Sequence, residues 1–159
     1  VYERIIIPLD GSEIGESALQ FMKDLLSKLS KDVVVEVTLL HILSPYSQSV
    51  SIRDESFDVY YQKEDYENIK TKFMEYLNAT GETQASAGIK VSVRVEFGDI
   101  PNQIVRVAEE LNADMIAMSS HGRSGIGLSP IGSIAYKVLQ METDIPIIVV
   151  RPPKRRLKQ

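Results

Sequence analysis

An α/β fold, one parallel sheet with helices on both faces, is what this sequence predicts. Three observations carry the prediction. The strand-like segments are near-continuous apolar runs, as strands buried on both faces require. The segments between them space their apolar residues at helical intervals. The two kinds follow one another as βαβ, αβ, αβ, αβ, an order that lays the strands parallel under covering helices.

Each element has its own grounds. Arg4-Ile5-Ile6-Ile7-Pro8-Leu9 is a short buried-strand run ended by Pro8. Ser12 is placed to cap a helix in which Ile14, Ala18, Phe21, Met22, Leu25, Leu26 and Leu29 make one broad apolar face. Val33 to Leu43, β-branched and aliphatic, is the second strand. Residues 44–65 are polar and acidic with scattered aromatics, and read as a long excursion leading into a helix. That helix sets Tyr66, Ile69, Phe73 and Leu77 on one side and fades at Ala85-Ser86-Ala87-Gly88. Lys90 to Phe97 is a third strand, alternating at Val91, Val93 and Val95. Gly98-Asp99-Ile100-Pro101 turns into a helix with Ile104, Val107, Ala108 and Leu111 on one side. Met115 to Met118 is the fourth strand, a further helix runs to about Glu142, and Ile147 to Val150 follow Pro146 as the fifth. No internal repeat and no second domain is visible, and 159 residues suit one domain with a real core.

Composition narrows the function classes. Apolar content of 43% and charged content of 25% are those of an ordinary globular protein. No apolar run approaches the ~20 residues that span a bilayer, and no secretory leader is expected. The sequence opens on Val1 rather than Met, so a trimmed N-terminus is expected. Zero cysteines exclude disulfides, thiolate metal sites and thiol catalysis, and fit a cytoplasmic protein. The last nine residues, RPPKRRLKQ, carry five basic side chains and read as a solvated end. They leave 13 basic against 22 acidic residues in the body, a net −9, which argues against a broad nucleic-acid surface.

The segment most in need of a role is SSHGRSGIGLSPIGS, residues 119–133, with four glycines and five serines between a strand and a helix. In parallel sheets ligands bind outside the C-terminal strand ends. Pro8-Leu9-Asp10-Gly11-Ser12, His41-Ile42-Leu43 and this loop all fall at such ends. Neither GxxxxGK[ST] nor GxGxxG fits, because no lysine follows a glycine where required and Gly122, Gly125 and Gly127 run in the opposite spacing. Glycines after a strand are often simple turn formers. These also permit close backbone approach and positive φ, and Gly132-Ser133 opens a helix whose first N–H groups are unpaired. Successive amides bent into a nest attract anions. With Arg123 adding one positive charge, the loop suits a phosphate chain without needing a lysine.

With these blocks in hand, the chain is similar to the universal stress proteins. The residues that carry the resemblance are Ile5-Ile6-Ile7-Pro8-Leu9-Asp10-Gly11-Ser12, Leu39-Leu40-His41-Ile42 and Gly98-Asp99-Ile100-Pro101, followed by the run from Ala113 to Gly125. Gly132-Ser133 and Pro146 to Arg151 complete it. The resemblance implies a doubly wound five-stranded sheet in the order 3-2-1-4-5, adenine nucleotide alpha-hydrolase-like, over residues 1–151, with a basic tail at 152–159. In the nucleotide-binding branch it implies a site for ATP, AMP or ADP. That branch carries G-x-x-G, nine residues, then G followed by Ser or Thr. Here the pattern reads Ser119-Ser120-His121-Gly122, nine residues, Gly132-Ser133. Ser119 replaces the first glycine, where the backbone approaches ribose and phosphates. Its side chain either crowds the ligand or donates a hydrogen bond to it.

Under the resemblance Pro8 and Asp10 border adenine and ribose, Asp10 either accepting from a ribose hydroxyl or serving as a turn residue before Gly11. Ile42 offers its backbone to the base. Gly122, Arg123, Ser124 and Gly125 wrap the phosphates from one side, and Ser133 with the amides of Ile134 and Ala135 from the other. Leu9, Met118, Ser119, Ser120 and Gly132 complete the lining, and His121 is a packing or hydrogen-bonding residue rather than a catalyst. No acidic pair at the phosphate end stands ready to hold a metal, so Mg²⁺ is expected to arrive on the phosphates, with slow or negligible hydrolysis. Glu109 and Glu110 read as a solvated helix face. The implied role is a stress-response regulator, a homodimer paired through the edge strand Ile147–Val150. An interaction protein with an empty pocket and a weak ATPase or phosphotransferase are the alternatives.

Overall fold

Three consecutive isoleucines set the centre of the molecule. Ile5 and Ile7 pack into one apolar layer and Ile6 into another, because successive strand side chains point to opposite faces. They belong to β1 (Tyr2–Pro8), the middle strand of a five-stranded sheet. The structure, a computed structural model, describes residues 2–28, 32–44, 49–52, 55–58, 63–85, 89–123, 125 and 129–153.

The described elements are β1, α1 (Ser17–Leu26), β2 (Val34–Leu43), β3 (Ser49–Ile52), β4 (Glu55–Asp58), α2 (Lys63–Glu82) and β5 (Ile89–Phe97). They continue as α3 (Ile100–Glu110), β6 (Met115–Ser119), α4 (Ser133–Leu139) and β7 (Ile147–Val150). The main sheet runs β5-β2-β1-β6-β7, all parallel, which is the order 3-2-1-4-5 of its strands along the chain. Helices α1 and α2 cover one face through Ala18, Leu19, Met22, Phe73 and Leu77. Helices α3 and α4 cover the other through Ile104, Val107, Ala108, Ala135 and Val138. The chain moves outward from β1 through β2 to β5, then crosses to β6 on the far side of β1. The crevice above the C-terminal ends of β1 and β6 is therefore the switch point where this class of sheet binds ligands.

The structure corrects several expectations. Ser12 does not cap the regular helix. Its Oγ accepts from the Gly15 N–H at 3.0 Å and closes a separate turn, and α1 begins only at Ser17 with Glu16 as an N-cap whose side chain makes no capping bond and instead accepts from the Tyr76 hydroxyl at 2.6 Å. Phe21 and Leu25 are not on the buried face of α1, being 43% and 38% exposed, and Leu29 lies outside the described residues. The 44–65 excursion holds an antiparallel hairpin, β3 with β4, and α2 starts at Lys63. Helix α4 stops at Leu139, short of Glu142. Glu110 is more than solvated: it pairs with Arg94 at 3.0 Å and with Arg106 at 2.9 Å, on the side of the edge strand β5 that faces α3. Among the described residues no helix is long and apolar enough to cross a membrane.

Candidate functional site

A cavity of about 200 Å³ opens at the switch point. Pro8, Leu9 and Asp10 enter it from the end of β1, and Leu40, His41 and Ile42 from the end of β2. Met118, Ser119, Ser120, His121, Gly122 and Arg123 come from β6 and the loop after it, and Gly132, Ser133, Ile134 and Ala135 from the start of α4. Ile100 and Ile104 of α3 extend its apolar wall. Fourteen of the sixteen residues expected from the sequence thus line one cavity. Gly125 is outside the lining, at φ 77° in a turn closed by its N–H to the Gly122 carbonyl, and Ser124 lies outside the described residues.

Asp10 organises the polar end. One carboxylate oxygen accepts from the Ser12 N–H at 3.0 Å and from the Ser12 hydroxyl at 2.6 Å, and the other accepts from the backbone N–H of Arg123. It thereby ties the exit of β1 to the glycine loop 113 residues away. This contact explains Gly122, where a Cβ would fall 2.3 Å from the Asp10 carboxylate. Gly132 answers a different close approach: its N–H meets the Ser120 carbonyl at 2.6 Å, and a Cβ there would lie 2.8 Å from that oxygen. The two glycines of the pattern thus answer close approaches within the protein itself. As the N-cap of α4, Gly132 brings no side-chain acceptor to the N–H groups of the first turn.

The Ser119 side chain turns toward the start of α1. Met115 and Ala117 of β6 pack into the α1 layer, and the strand alternation sends the Ser119 side chain the same way. There its hydroxyl donates to the Gly15 carbonyl at 2.7 Å and accepts from the Ala18 N–H at 3.0 Å. Ala18 is in the first turn of α1, so Ser119 supplies from across the fold the cap that Glu16 does not.

Both histidines are held by the protein. The His121 Nε2–H donates to the Ser129 carbonyl at 3.0 Å, and Nδ1 accepts from the Ser120 hydroxyl at 2.9 Å, so the ring staples the loop through both nitrogens. His41 is buried, lies flat on Phe73 with centroids 3.4 Å apart, and donates from Nδ1 to the Leu9 carbonyl at 2.7 Å. Burial, reinforced by the charge of Arg123, pushes its pKa down to about 4 against the opposing pull of the Leu9 carbonyl and Asp10. Gly15, Leu40, His41, Ile100 and Ile104 are lining residues that the motif pattern missed. The Gly98-Asp99-Ile100-Pro101 block was the signal for Ile100, since Asp99 caps α3 through the Asn102 N–H and thereby sets the first turn of the helix at the cavity.

The family model for the Universal stress protein family matches residues 1–151. The universal stress protein MJ0531 of Methanocaldococcus jannaschii is 28% identical over 98% of this chain and 85% of its own length. The solved structure of MJ0577 from the same organism superposes with a TM-score of 0.71 at 26% identity, covering 96% of this chain and 97% of that one. A universal stress protein family protein of Arabidopsis thaliana, solved with AMP bound, shares the fold at a TM-score of 0.59 and 12% identity, over 97% of this chain and 94% of its own. The family match across the sheet, the cavity and the glycine loop shows that this chain belongs to the universal stress protein family.

Proposed function

We propose that the cavity binds an adenine nucleotide, ATP or its mono- or diphosphate, and that the protein is a stress-response regulator whose form or partners depend on that occupancy. The observation that carries the reading is the closure of the glycine pattern around one cavity: Gly122 against Asp10, and Gly132 against the Ser120 carbonyl. In this reading the base enters the apolar recess of Pro8, Ile42, Ile100 and Met118, and the ribose sits near Asp10. The phosphates run out along Gly122-Arg123 and the first turn of α4. The Arabidopsis neighbour with AMP bound supports an adenine nucleotide as a ligand this fold accommodates.

The chemistry favours adenine over guanine. In a parallel ladder the N–H and C=O of alternate residues face the same neighbour. The Leu9 N–H bonds the Leu40 carbonyl, so Leu40 and Ile42 both turn their peptide groups toward β1, which ends at Pro8. Ile42 thus offers one donor and one acceptor beside the recess. Adenine answers with a ring acceptor and an amino donor on one edge, whereas guanine carries a carbonyl oxygen in place of that amino group. Among the described residues no three His, Asp or Glu side chains converge, so Mg²⁺ would be held by phosphates and water, and hydrolysis would be slow or absent. Residues 1–151 form the working domain in this reading, a cytoplasmic one. Residues 154–159 of the basic tail lie outside the described residues.

Isothermal titration of the purified protein with ATP, AMP and GTP in the presence of Mg²⁺ tests the reading. Saturable binding of ATP or AMP with no heat from GTP is expected. Absence of binding by any adenine nucleotide at millimolar concentration would overturn it.

A further inference from the structure

We infer that His41 is a positioning residue of this cavity, one that keeps the Ile42 peptide group open to a ligand by occupying the Leu9 carbonyl. The inference rests on the adenine-nucleotide reading above, and it concerns why a donor is available there at all.

The register gives the starting point. Pro8 pairs with Leu40, so Leu9 stands opposite His41 one step beyond the last residue of β1. The Leu9 N–H follows the ladder and bonds the Leu40 carbonyl at 2.8 Å. The next rung of a parallel ladder would give the Leu9 carbonyl to the Ile42 N–H. The rung is not formed: the carbonyl meets the His41 Nδ1–H at 2.7 Å, and among the described residues no backbone bond joins Ile42 to Leu9.

The geometry of the imidazole makes this substitution stable. Strand alternation places His41 on the α2 side of β2, where its ring stacks on Phe73 with planes 8° apart. Phe73 is fully buried, so the ring has little freedom to turn away. Burial also keeps the imidazole neutral, and the carbonyl selects the tautomer with the proton on Nδ1. One side chain therefore draws the Leu9 carbonyl out of the sheet, ends the ladder, and leaves a strand-end donor beside the apolar recess. It also fixes the residue just before Asp10, whose carboxylate holds the glycine loop.

Two variants separate positioning from packing. His41→Leu keeps apolar volume against Phe73 but removes the donor, so the Leu9 carbonyl returns to the Ile42 N–H. His41→Asn keeps an N–H donor near the Nδ1 position. The expected result is ATP binding weakened about 10-fold or more in His41→Leu, the worth of roughly one hydrogen bond, with His41→Asn within a few-fold of the parent. A ligand-independent readout accompanies it: in ¹⁵N NMR, a through-hydrogen-bond coupling between the Ile42 N–H and the Leu9 carbonyl should be absent in the parent and present in His41→Leu. That coupling in the ligand-free parent overturns the inference, as does parental ATP affinity in His41→Leu, or equal loss in both variants. If the parent binds no adenine nucleotide, the nucleotide reading fails, and the coupling alone decides whether His41 ends the ladder.

Discussion

Ser119 shows how one hydroxyl changes sides. A serine at the first glycine position of the pattern raises the prospect of a crowded ligand, yet its side chain is turned under α1 and bonded to Gly15 and Ala18. Ser119→Ala should therefore lower stability by about 1–2 kcal/mol, the value of a helix cap, while leaving nucleotide affinity unchanged; urea unfolding beside a binding titration checks both. The direction was in principle legible, because Met115, Ala117 and Ser119 share a strand face. What the sequence does not display is that the start of α1, a hundred residues earlier, lies under that face. Asp10 and Gly122 are a similar case: the motif names both residues, but their clasp is a product of topology.

His41 makes a pH prediction at the same scale. Its pKa falls from 6.5 in the unfolded chain to about 4 in the fold, so the unfolded state binds more protons between those values. Its contribution to stability is complete above about pH 6.5 and is lost as pH falls toward 4, to a limit of about 3 kcal/mol. Carboxylates also titrate in this range, so the measured quantity is the difference between the parent and His41→Leu. Unfolding free energies from pH 7 to 4 should fall more steeply for the parent, and parallel curves would contradict the assignment.

At the scale of elements, the strands were the most legible feature and the helix faces less so. Buried parallel strands declare themselves as runs such as Ile5-Ile6-Ile7, because both faces need apolar residues. An amphipathic helix declares a stripe but not its edges. Phe21 and Leu25 fit the period of α1 yet stand outside the contact, at the rim beyond Ala18, Met22 and Leu26. Met22→Ala should cost about 2–5 kcal/mol, whereas Phe21→Ser should stay within about 0.5 kcal/mol, as thermal unfolding of the pair would show. The β3–β4 hairpin forms a two-stranded sheet of its own, and its short segments Ser49–Ile52 and Glu55–Asp58 carry none of the continuous apolar runs that mark the strands of the main sheet.

For the whole molecule, the strand order creates both the crevice and an open margin. The Ile116 N–H bonds the Pro146 carbonyl and the Ser120 N–H bonds that of Val150, so Ile147 and Val149 turn their peptide groups to the outer edge. A second copy pairing there would cover the edge, as the homodimer implied by the resemblance would require. Val149→Pro removes an outward N–H while sparing the β6 ladder; light scattering should find this variant monomeric and the parent dimeric. Retention of the dimer would move the interface elsewhere.

The cavity's claim on an adenine nucleotide is tested most directly by the melting temperature with ATP and Mg²⁺, set against GTP and against no ligand. A ligand at 100 times its dissociation constant adds about 2.7 kcal/mol, which for a domain of this size is roughly 5–10 °C. The account predicts that shift with ATP and none with GTP, and an unmoved transition at millimolar ATP, or an equal shift with both, would contradict it.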